Sequence, residues 1–242
     1  MDQFKWNNFL LFLKRKFLLN PLRRSRYYYG LHDLFAKSDQ EEIIDYAMHF
    51  AAAHQLEGDY LEFGVFEGDG FIKAFHLSKR YAHINKMRFY AFDSFRGLPE
   101  ITGVDANGYQ MFTKGQLDCS LERFKKIISK NGVDLQRVTI IPGYYKEILN
   151  NETKKNLPLK KAAIVYIDCD LYESTIPVLD FVTDYIQDGT IIIFDDWFLF
   201  KGHPDRGEQR AFREWLDKNK HIRVSEYNKF GWYGNSFIVH LN

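Results

Sequence analysis

The sequence predicts an α/β fold in which a mostly parallel sheet of seven strands is closed by a C-terminal antiparallel hairpin and covered by helices on both faces. Two apolar runs without alternation, Ala162–Ile167 and Thr190–Phe194, are typical of strands buried on both sides. The segment between them has the length of a helix, and such a crossover makes the two strands parallel neighbours. Two alternating segments, Ile222–Tyr227 and Ser236–Leu241, indicate the hairpin.

The remaining elements follow from periodicity, helix-capping residues and turn residues. We expect helices at 38–54, 71–81, 120–130 and 208–218, and further strands at 59–64, 87–92 and 138–141. Ser174 or Thr175 is expected to cap the helix between the two apolar runs, with Pro177 in its first turn. Residues 100–118 have no clear period and are typical of a lid or binding loop, and Lys154–Lys161 is expected to be a solvated connector.

Composition limits the function classes. A chain of 242 residues, 45% of them hydrophobic, is long enough for one full core and a little short for two domains. The net charge of +1 gives no case for nucleic acid as a partner. Cys119 and Cys169 lack metal-site spacing, which favours two reduced thiols in a cytoplasmic protein. No apolar run approaches the ~20 residues of a membrane span.

Residues 1–37 form an N-terminal arm that differs from the domain expected at 38–242. The arm interleaves Phe and Leu with Lys and Arg at a spacing that suits an amphipathic helix, and it lacks the layout of a signal peptide. Packing on the domain or on a second subunit is the favoured interpretation, which makes a homo-oligomer the expected assembly. The alternative is contact of residues 1–26 with a membrane surface.

Chemistry-bearing residues follow several predicted strands. The glycine-rich segment EFGVFEGDG carries Gly64, Gly68 and Gly70 and lets a ligand approach the backbone, although any tight strand-to-helix turn could carry these glycines. It departs from the GxGxxG pattern of dinucleotide sites, which disfavours a nicotinamide dehydrogenase. Asp93 ends the next strand, where an acid binds a ribose diol in nucleotide-binding α/β folds; the alternative is a helix cap or turn.

Three further carboxylates follow the two apolar runs. Asp168 ends the first run, and Asp195 and Asp196 end the second. Because parallel strands present their carboxyl ends at one edge, these acids are expected to face one another. Oxygen ligands on rigid strand ends suit Mg²⁺, whereas the alternative is that each acid caps a turn or helix.

Together these motifs resemble one family, the macrocin O-methyltransferase (TylF-type) sugar enzymes among the class I S-adenosylmethionine-dependent O-methyltransferases. The matching segments occur in the family's order and cover roughly residues 55–220. They are EFGVFEG at 62–68, DSFRGLP at 93–99, PGYYKEIL at 142–149, DCDLYEST at 168–175 and DDW at 195–197.

The resemblance implies the Rossmann-like class I methyltransferase fold and assigns roles by position. The methionine part of the cofactor would contact Glu62, Gly64, Phe66 and Gly68. Asp93 would hold the ribose, Ser94 would lie beside the adenosine, and Gly143 and Tyr144 would border the adenine. Mg²⁺ would be bound by Asp168, Asp195 and Asp196, three acids that would also be catalytic, and Asp168 would adjoin the cofactor too. Asp170 would support the metal ligands or contact the cofactor's amine.

The general base does not follow the family pattern. The sugar enzymes of the family place a His between the ribose-binding strand and the next strand, but this chain has no His between His83 and His203. His203 is a substitute candidate, with an exposed loop His as the alternative, and Tyr109 and Tyr144 are weaker candidates. The proton could also pass to water or to a ligand carboxylate.

The function implied is Mg²⁺-dependent O-methylation of a sugar hydroxyl, on a nucleotide-linked sugar, a surface polysaccharide or a glycosylated natural product. The cation would hold vicinal hydroxyls and lower the pKa of one of them. A small catechol-like acceptor would also fit that chemistry. A different class of hypothesis is a non-catalytic module that keeps the fold for binding or assembly.

Overall fold

The computed structural model describes residues 38–106 and 112–241. The predicted N-terminal arm and Tyr109 lie outside these residues. The helices are α1 (Asp39–Ala53), α2 (Asp69–Ser78), α3 (Leu121–Lys130), α4 (Tyr145–Ile148), α5 (Asn151–Asn156), α6 (Tyr172–Val182) and α7 (Gly207–Lys218). The strands are β1 (Asp59–Phe63), β2 (Phe89–Asp93), β3 (Val138–Pro142), β4 (Ala162–Ile167), β5 (Ile191–Phe194), β6 (Ile222–Phe230) and β7 (Gly234–Leu241). Short 3₁₀ turns occupy Leu135–Arg137 and Phe200–Gly202.

The strands form one seven-stranded sheet in the order β3-β2-β1-β4-β5-β7-β6. The first five are parallel, and β7 joins β5 and β6 antiparallel. This confirms the predicted parallel sheet with a C-terminal hairpin. Because the chain builds outward from β1 to β3 and then returns to β4 beside β1, the order reverses between β1 and β4, which is where α/β sheets open a ligand crevice.

The register brings the ends of the central strands to one level. Phe63 of β1 pairs with Ile167 of β4, and Ile167 pairs with Phe194 of β5. The next residues in the chain, Asp168 and Asp195, therefore leave the sheet side by side. Pairing of strands thus fixes which acids become neighbours.

The core lies on both faces of the sheet. Alternate residues of the buried strands point to opposite sides, which is why these strands are apolar throughout. Helices α1, α2 and α3 cover one face, and α6 and α7 cover the other. Both cysteines are buried and free. Within 38–106 and 112–241, no helix has the length and apolar character needed to cross a membrane.

Two sequence predictions about helices are wrong. Helix α6 begins at Tyr172, before Ser174 and Thr175, and Pro177 lies in its interior. The cap is tertiary: the carboxylate of Asp105 accepts the backbone N–H of Tyr172 and of Glu173, each at 3.0 Å.

The basic segment expected to be a connector is partly helical. Helix α5 covers Asn151–Asn156, and the side chain of Asn150 accepts the N–H groups of Glu152 and Thr153 at its start. Asn150 is therefore an ordinary local helix cap, and this residue in the sequence already indicated a helix start.

Candidate active site

A cavity of about 560 Å³ opens at the carboxyl ends of the parallel strands. Eight of the ten residues assigned to the cofactor by the resemblance line it, and they come from the loops after four strands. They are Gly64, Phe66, Asp93, Ser94, Gly143, Tyr144, Asp168 and Asp170. The topology therefore gathers one surface from segments that are more than 100 residues apart.

Gly64 sets the distance between β1 and β4. Its φ is +88°, and a Cβ built there would lie 1.9 Å from the backbone oxygen of Asp168. Only glycine allows this approach, since any side chain would overlap the backbone of β4's end. The glycine loop and the first acid of the cluster are in contact for that reason.

Asp93 is held by backbone groups at the cavity wall. Its Oδ2 accepts the N–H groups of Val65 at 2.9 Å and Phe66 at 3.2 Å, and its Oδ1 accepts that of Phe95 at 2.7 Å. These bonds tie the glycine loop to the end of β2 and fix the carboxylate's orientation. Burial raises the pKa of Asp93 above its usual value, and the three N–H donors oppose that rise.

Glu62 and Gly68, which the resemblance also assigns to the cofactor, do not line the cavity. Glu62 is 3% exposed and accepts the hydroxyl of Tyr60 at 2.6 Å. Burial raises the pKa of Glu62 to about 8. Gly68 lies against α3, where a Cβ would meet the ring of Phe124 at 2.9 Å. Their contacts with the cofactor stay predictions.

The three acids predicted to bind a metal come together. Asp168, Asp195 and Asp196 each offer a carboxylate oxygen within 4.8 Å of the others. Two oxygens on opposite sides of a divalent ion are about 4.2 Å apart for Mg²⁺ and about 4.6–5.2 Å apart for Ca²⁺, so a 4.8 Å limit is in the range of a divalent cation site. In the described part of the chain, the salt bridges include none of these acids.

The electrostatics of the cluster are dominated by burial and by repulsion among its acids. Burial first, and then the neighbouring Asp195 and Asp170, raise the pKa of Asp168 well above its usual value. Burial also raises the pKa of Asp195, against the hydroxyl of Tyr166, which donates to its Oδ1. The pKa of Asp196 is likewise raised well above its usual value by burial. A bound cation would relieve this repulsion.

Asp168 belongs both to the cavity lining and to the carboxylate cluster. Asp170 lies two residues further along the same loop and also lines the cavity. Its φ is +59°, its backbone N–H donates to Oδ2 of Asp196 at 3.0 Å, and burial raises its pKa to about 7. The loop after β4 therefore turns two carboxylates toward the cavity beside the cluster.

His203 is not brought to this site. It is exposed, its Nδ1 accepts the N–H of Asp205 at 3.1 Å, and it is absent from the cavity lining. Its role as base stays a prediction without structural support. Tyr144 does line the cavity.

The segment predicted to be a lid or binding loop also contributes to the cavity wall. Five of its residues line the cavity: Glu100, Thr102, Asp105, Lys114 and Leu117. Lys146 and Glu173, which pair at 2.9 Å, line the cavity as well. Several of these lining residues are polar or charged.

Sequence reasoning missed three residues that organise the site. Tyr166 donates to Asp195, Asp105 caps α6, and Glu208 accepts the backbone N–H of Asp196 at 3.0 Å. Each acts on a segment remote in the sequence, so no local pattern marked it. The only signal was an acid in the first turn of α7, which is common in helices.

Comparison with known proteins gives relatives among sugar O-methyltransferases. The 8-demethyl-8-(2,3-dimethoxy-alpha-L-rhamnosyl)-tetracenomycin-C 4'-O-methyltransferase of Streptomyces olivaceus is 28% identical over 162 residues, which are 64% of this chain and 59% of that protein. Mycinamicin III 3''-O-methyltransferase of Micromonospora griseorubida is 28% identical over 162 residues, 64% of this chain and 61% of the relative. The chain thus matches about three fifths of the length of these curated relatives.

Solved structures confirm the predicted fold. The O-methyltransferase NovP superposes with a TM-score of 0.67 at 22% identity, over 83% of this chain and 79% of its own. The calicheamicin methyltransferase CalS11 gives a TM-score of 0.68 at 22% identity, over 98% and 94% of the two chains. The sequence matches the description Macrocin-O-methyltransferase (TylF) over residues 40–223, which is most of the chain. The chain therefore belongs to the macrocin O-methyltransferase (TylF) family, as its motifs predicted.

Proposed function

We propose that this protein is an S-adenosylmethionine-dependent and Mg²⁺-dependent O-methyltransferase whose acceptor is a sugar hydroxyl. The observation that carries the proposal is the position of Asp168, which lines the cavity and also belongs to the three-carboxylate cluster. A methyl donor in that cavity and a cation at that cluster would be neighbours. O-methylation by in-line displacement needs this arrangement, because donor and acceptor must be aligned.

The cofactor end of the cavity suits the proposed donor. S-adenosylmethionine carries its methyl group on a sulfonium, which needs no activation by the protein. The work of the chain is therefore to bind and orient. Asp93, already fixed by three backbone donors, has about one lone-pair site left on Oδ1 for a ribose hydroxyl. Gly143 and Tyr144 line the same cavity and would border the adenine.

Asp168, Asp195 and Asp196 would hold the cation. When bound there, Mg²⁺ would coordinate acceptor hydroxyls and lower the pKa of the one that is methylated. Tyr166 keeps Asp195 in place by donating to its Oδ1, and the N–H of Asp170 does the same for Oδ2 of Asp196. Two of the three ligands are thus oriented by a hydrogen bond from β4 or its loop.

Asp170 replaces His203 as our candidate for the base. It lines the cavity next to Asp168, whereas His203 is exposed and absent from the lining. In the proposed step the acceptor oxygen bonds to the methyl carbon, the carbon–sulfur bond breaks, and the hydroxyl proton passes to the Asp170 carboxylate. Asp170→Asn should lower kcat by about 10²–10⁴-fold; an unchanged kcat would reject this role.

A sugar acceptor is supported by the cavity lining and by the relatives. The lining includes the polar side chains of Glu100, Thr102, Lys114 and Glu173, which suits a ligand with several hydroxyls. The relatives' descriptions name a rhamnosyl tetracenomycin and mycinamicin III, and a CalS11 structure is described as TDP-rhamnose 3'-O-methyltransferase. Free nucleotide sugars, glycosylated natural products and polysaccharide units are the acceptors to compare.

The first experiment is calorimetric titration of S-adenosylhomocysteine into the full chain, with and without Mg²⁺. Micromolar binding is expected, followed by Mg²⁺-dependent transfer of a labelled methyl group to a nucleotide sugar or glycoside. Transfer to catechol but to no sugar would show that the acceptor is a small catechol-like molecule instead of a sugar. Absence of binding in both conditions would contradict the proposal and favour a non-catalytic module.

A further inference from the structure

The turn after β5 carries two of the three acids of the cluster and is fixed by its neighbours. The ring of Trp197 packs on those of Phe194, Phe212 and Phe237 at centroid distances of 5.1, 5.5 and 4.8 Å. Oδ2 of Asp196 accepts the N–H of Asp170. These contacts hold two side chains of the turn, whereas its backbone is held by other residues.

Two successive side chains in the first turn of α7 form hydrogen bonds with that backbone. Oε2 of Glu208 accepts the N–H of Asp196 at 3.0 Å, and Nε2 of Gln209 donates to the carbonyl oxygen of Trp197 at 2.7 Å. Glu208 is 1% exposed. Its hydrogen bond goes to Asp196 rather than to an N–H of its own helix, so it is not an ordinary helix cap.

A carboxylate at position 208 is expected to lower the stability of the fold. Glu208 is buried beside the acids of the cluster, and within 38–106 and 112–241 no salt bridge compensates it. Its Oε1 is buried and makes no hydrogen bond of ordinary geometry among the described residues, although the backbone N–H of Cys169 lies close enough to oppose the rise in the pKa of Glu208. A glutamine could accept the same N–H without adding a negative charge, so folding stability alone does not account for glutamate.

A cation at the cluster would account for it. The charge of Glu208 would add to the attraction, and its hydrogen bond would hold Asp196 where its carboxylate can coordinate. We infer that Glu208 is a positioning residue for the metal site, holding the Asp195–Trp197 turn by the Asp196 N–H and contributing negative charge behind it. This inference rests on the metal site of the proposed function.

The test is calorimetric titration of Mg²⁺ into protein loaded with S-adenosylhomocysteine. Glu208→Met keeps the volume and removes the acceptor and the charge, and its Mg²⁺ affinity should fall about 10–100-fold. Glu208→Gln keeps the acceptor and should lose less than the Met variant but more than threefold. Affinity for S-adenosylhomocysteine without Mg²⁺ should stay within twofold in both variants, and Glu208→Gln, which keeps the acceptor, should not melt below the wild type without metal.

Gln209→Ala is the matched control, because it removes the adjacent hydrogen bond to the same turn without touching a charge. Its Mg²⁺ affinity should stay within threefold of the wild type. An equal loss in Gln209→Ala would overturn the inference, since any loosening of α7 would then suffice. An unchanged affinity in Glu208→Met, or in Glu208→Gln if the Met variant does not fold, would overturn it as well.

The wild type separates this inference from the proposed function. A wild-type protein that binds S-adenosylhomocysteine but no Mg²⁺ would refute the metal part of the proposed function and the role of Glu208 together. Mg²⁺ binding that is the same in the wild type and the Glu208 variants would refute the positioning role alone.

Discussion

Glu62 should make the stability of the fold depend on pH in a direction that one substitution reveals. The side chain is 3% exposed, and burial raises its pKa from 4.5 to about 8 against the hydrogen bond from Tyr60. The folded state then binds more protons than the unfolded state between these two pH values. Its stability falls as the pH rises through that window and is constant above it.

The magnitude follows from the same two pKa values. Each pKa unit corresponds to about 1.4 kcal/mol, so the upper bound at pH 9 is roughly 5 kcal/mol. Relaxation and water entry reduce such penalties, and we expect about 2–4 kcal/mol. Glu62→Gln removes the titrating group while its amide oxygen can still accept the hydroxyl of Tyr60. The substitution should therefore raise the free energy of unfolding at pH 9 by about 2–4 kcal/mol. For a chain of this size that increase corresponds to a melting temperature about 5–15 °C higher.

The assay is thermal unfolding of the wild type and Glu62→Gln at pH 5 and pH 9 without ligands. At pH 5 Glu62 is protonated in the folded state, so the difference should be small, and it should grow toward pH 9. Glu152→Gln, at an exposed position of α5, is the control and should show no such growth. A difference of the same size at both pH values would refute the reasoning, because a constant packing effect would then explain it.

Three further substitutions test the site. Asp195→Asn should abolish turnover and Mg²⁺ binding while affinity for S-adenosylhomocysteine stays within a few-fold; methylation at the wild-type rate would contradict the metal mechanism. Asp93→Ala should weaken S-adenosylhomocysteine by about 1–3 kcal/mol in calorimetry, the scale of lost hydrogen bonds to a charged group, and equal affinity would reject the ribose contact. Asp105→Ala should lower stability by about 0.5–2 kcal/mol in denaturant unfolding, because two N–H groups at the start of α6 lose their acceptor. An unchanged midpoint would show that water replaces the cap.

The parallel pairing of β4 with β5 and the edge where the acids meet were accessible from the chain alone. Ala162–Ile167 and the run ending at Phe194 are apolar at every position because both faces of those strands are covered. A strand that is buried on both faces is recognisable in a sequence as an apolar run without alternation. Acids placed directly after such runs had to emerge at the carboxyl edge, and Asp168 and Asp195 do so.

The partners of those acids depended on the tertiary structure. Asp105 caps a helix that begins 67 residues later, Glu208 holds the turn of Asp196 from another helix, and His203 stays at the surface. Periodicity records which side of an element is buried, but it does not record which remote side chain the packing brings against it. The fold and the meeting of the three acids proposed as metal ligands were therefore predictable from the sequence, whereas the groups that orient these acids were decided by how the loops and α7 pack over the edge of the sheet.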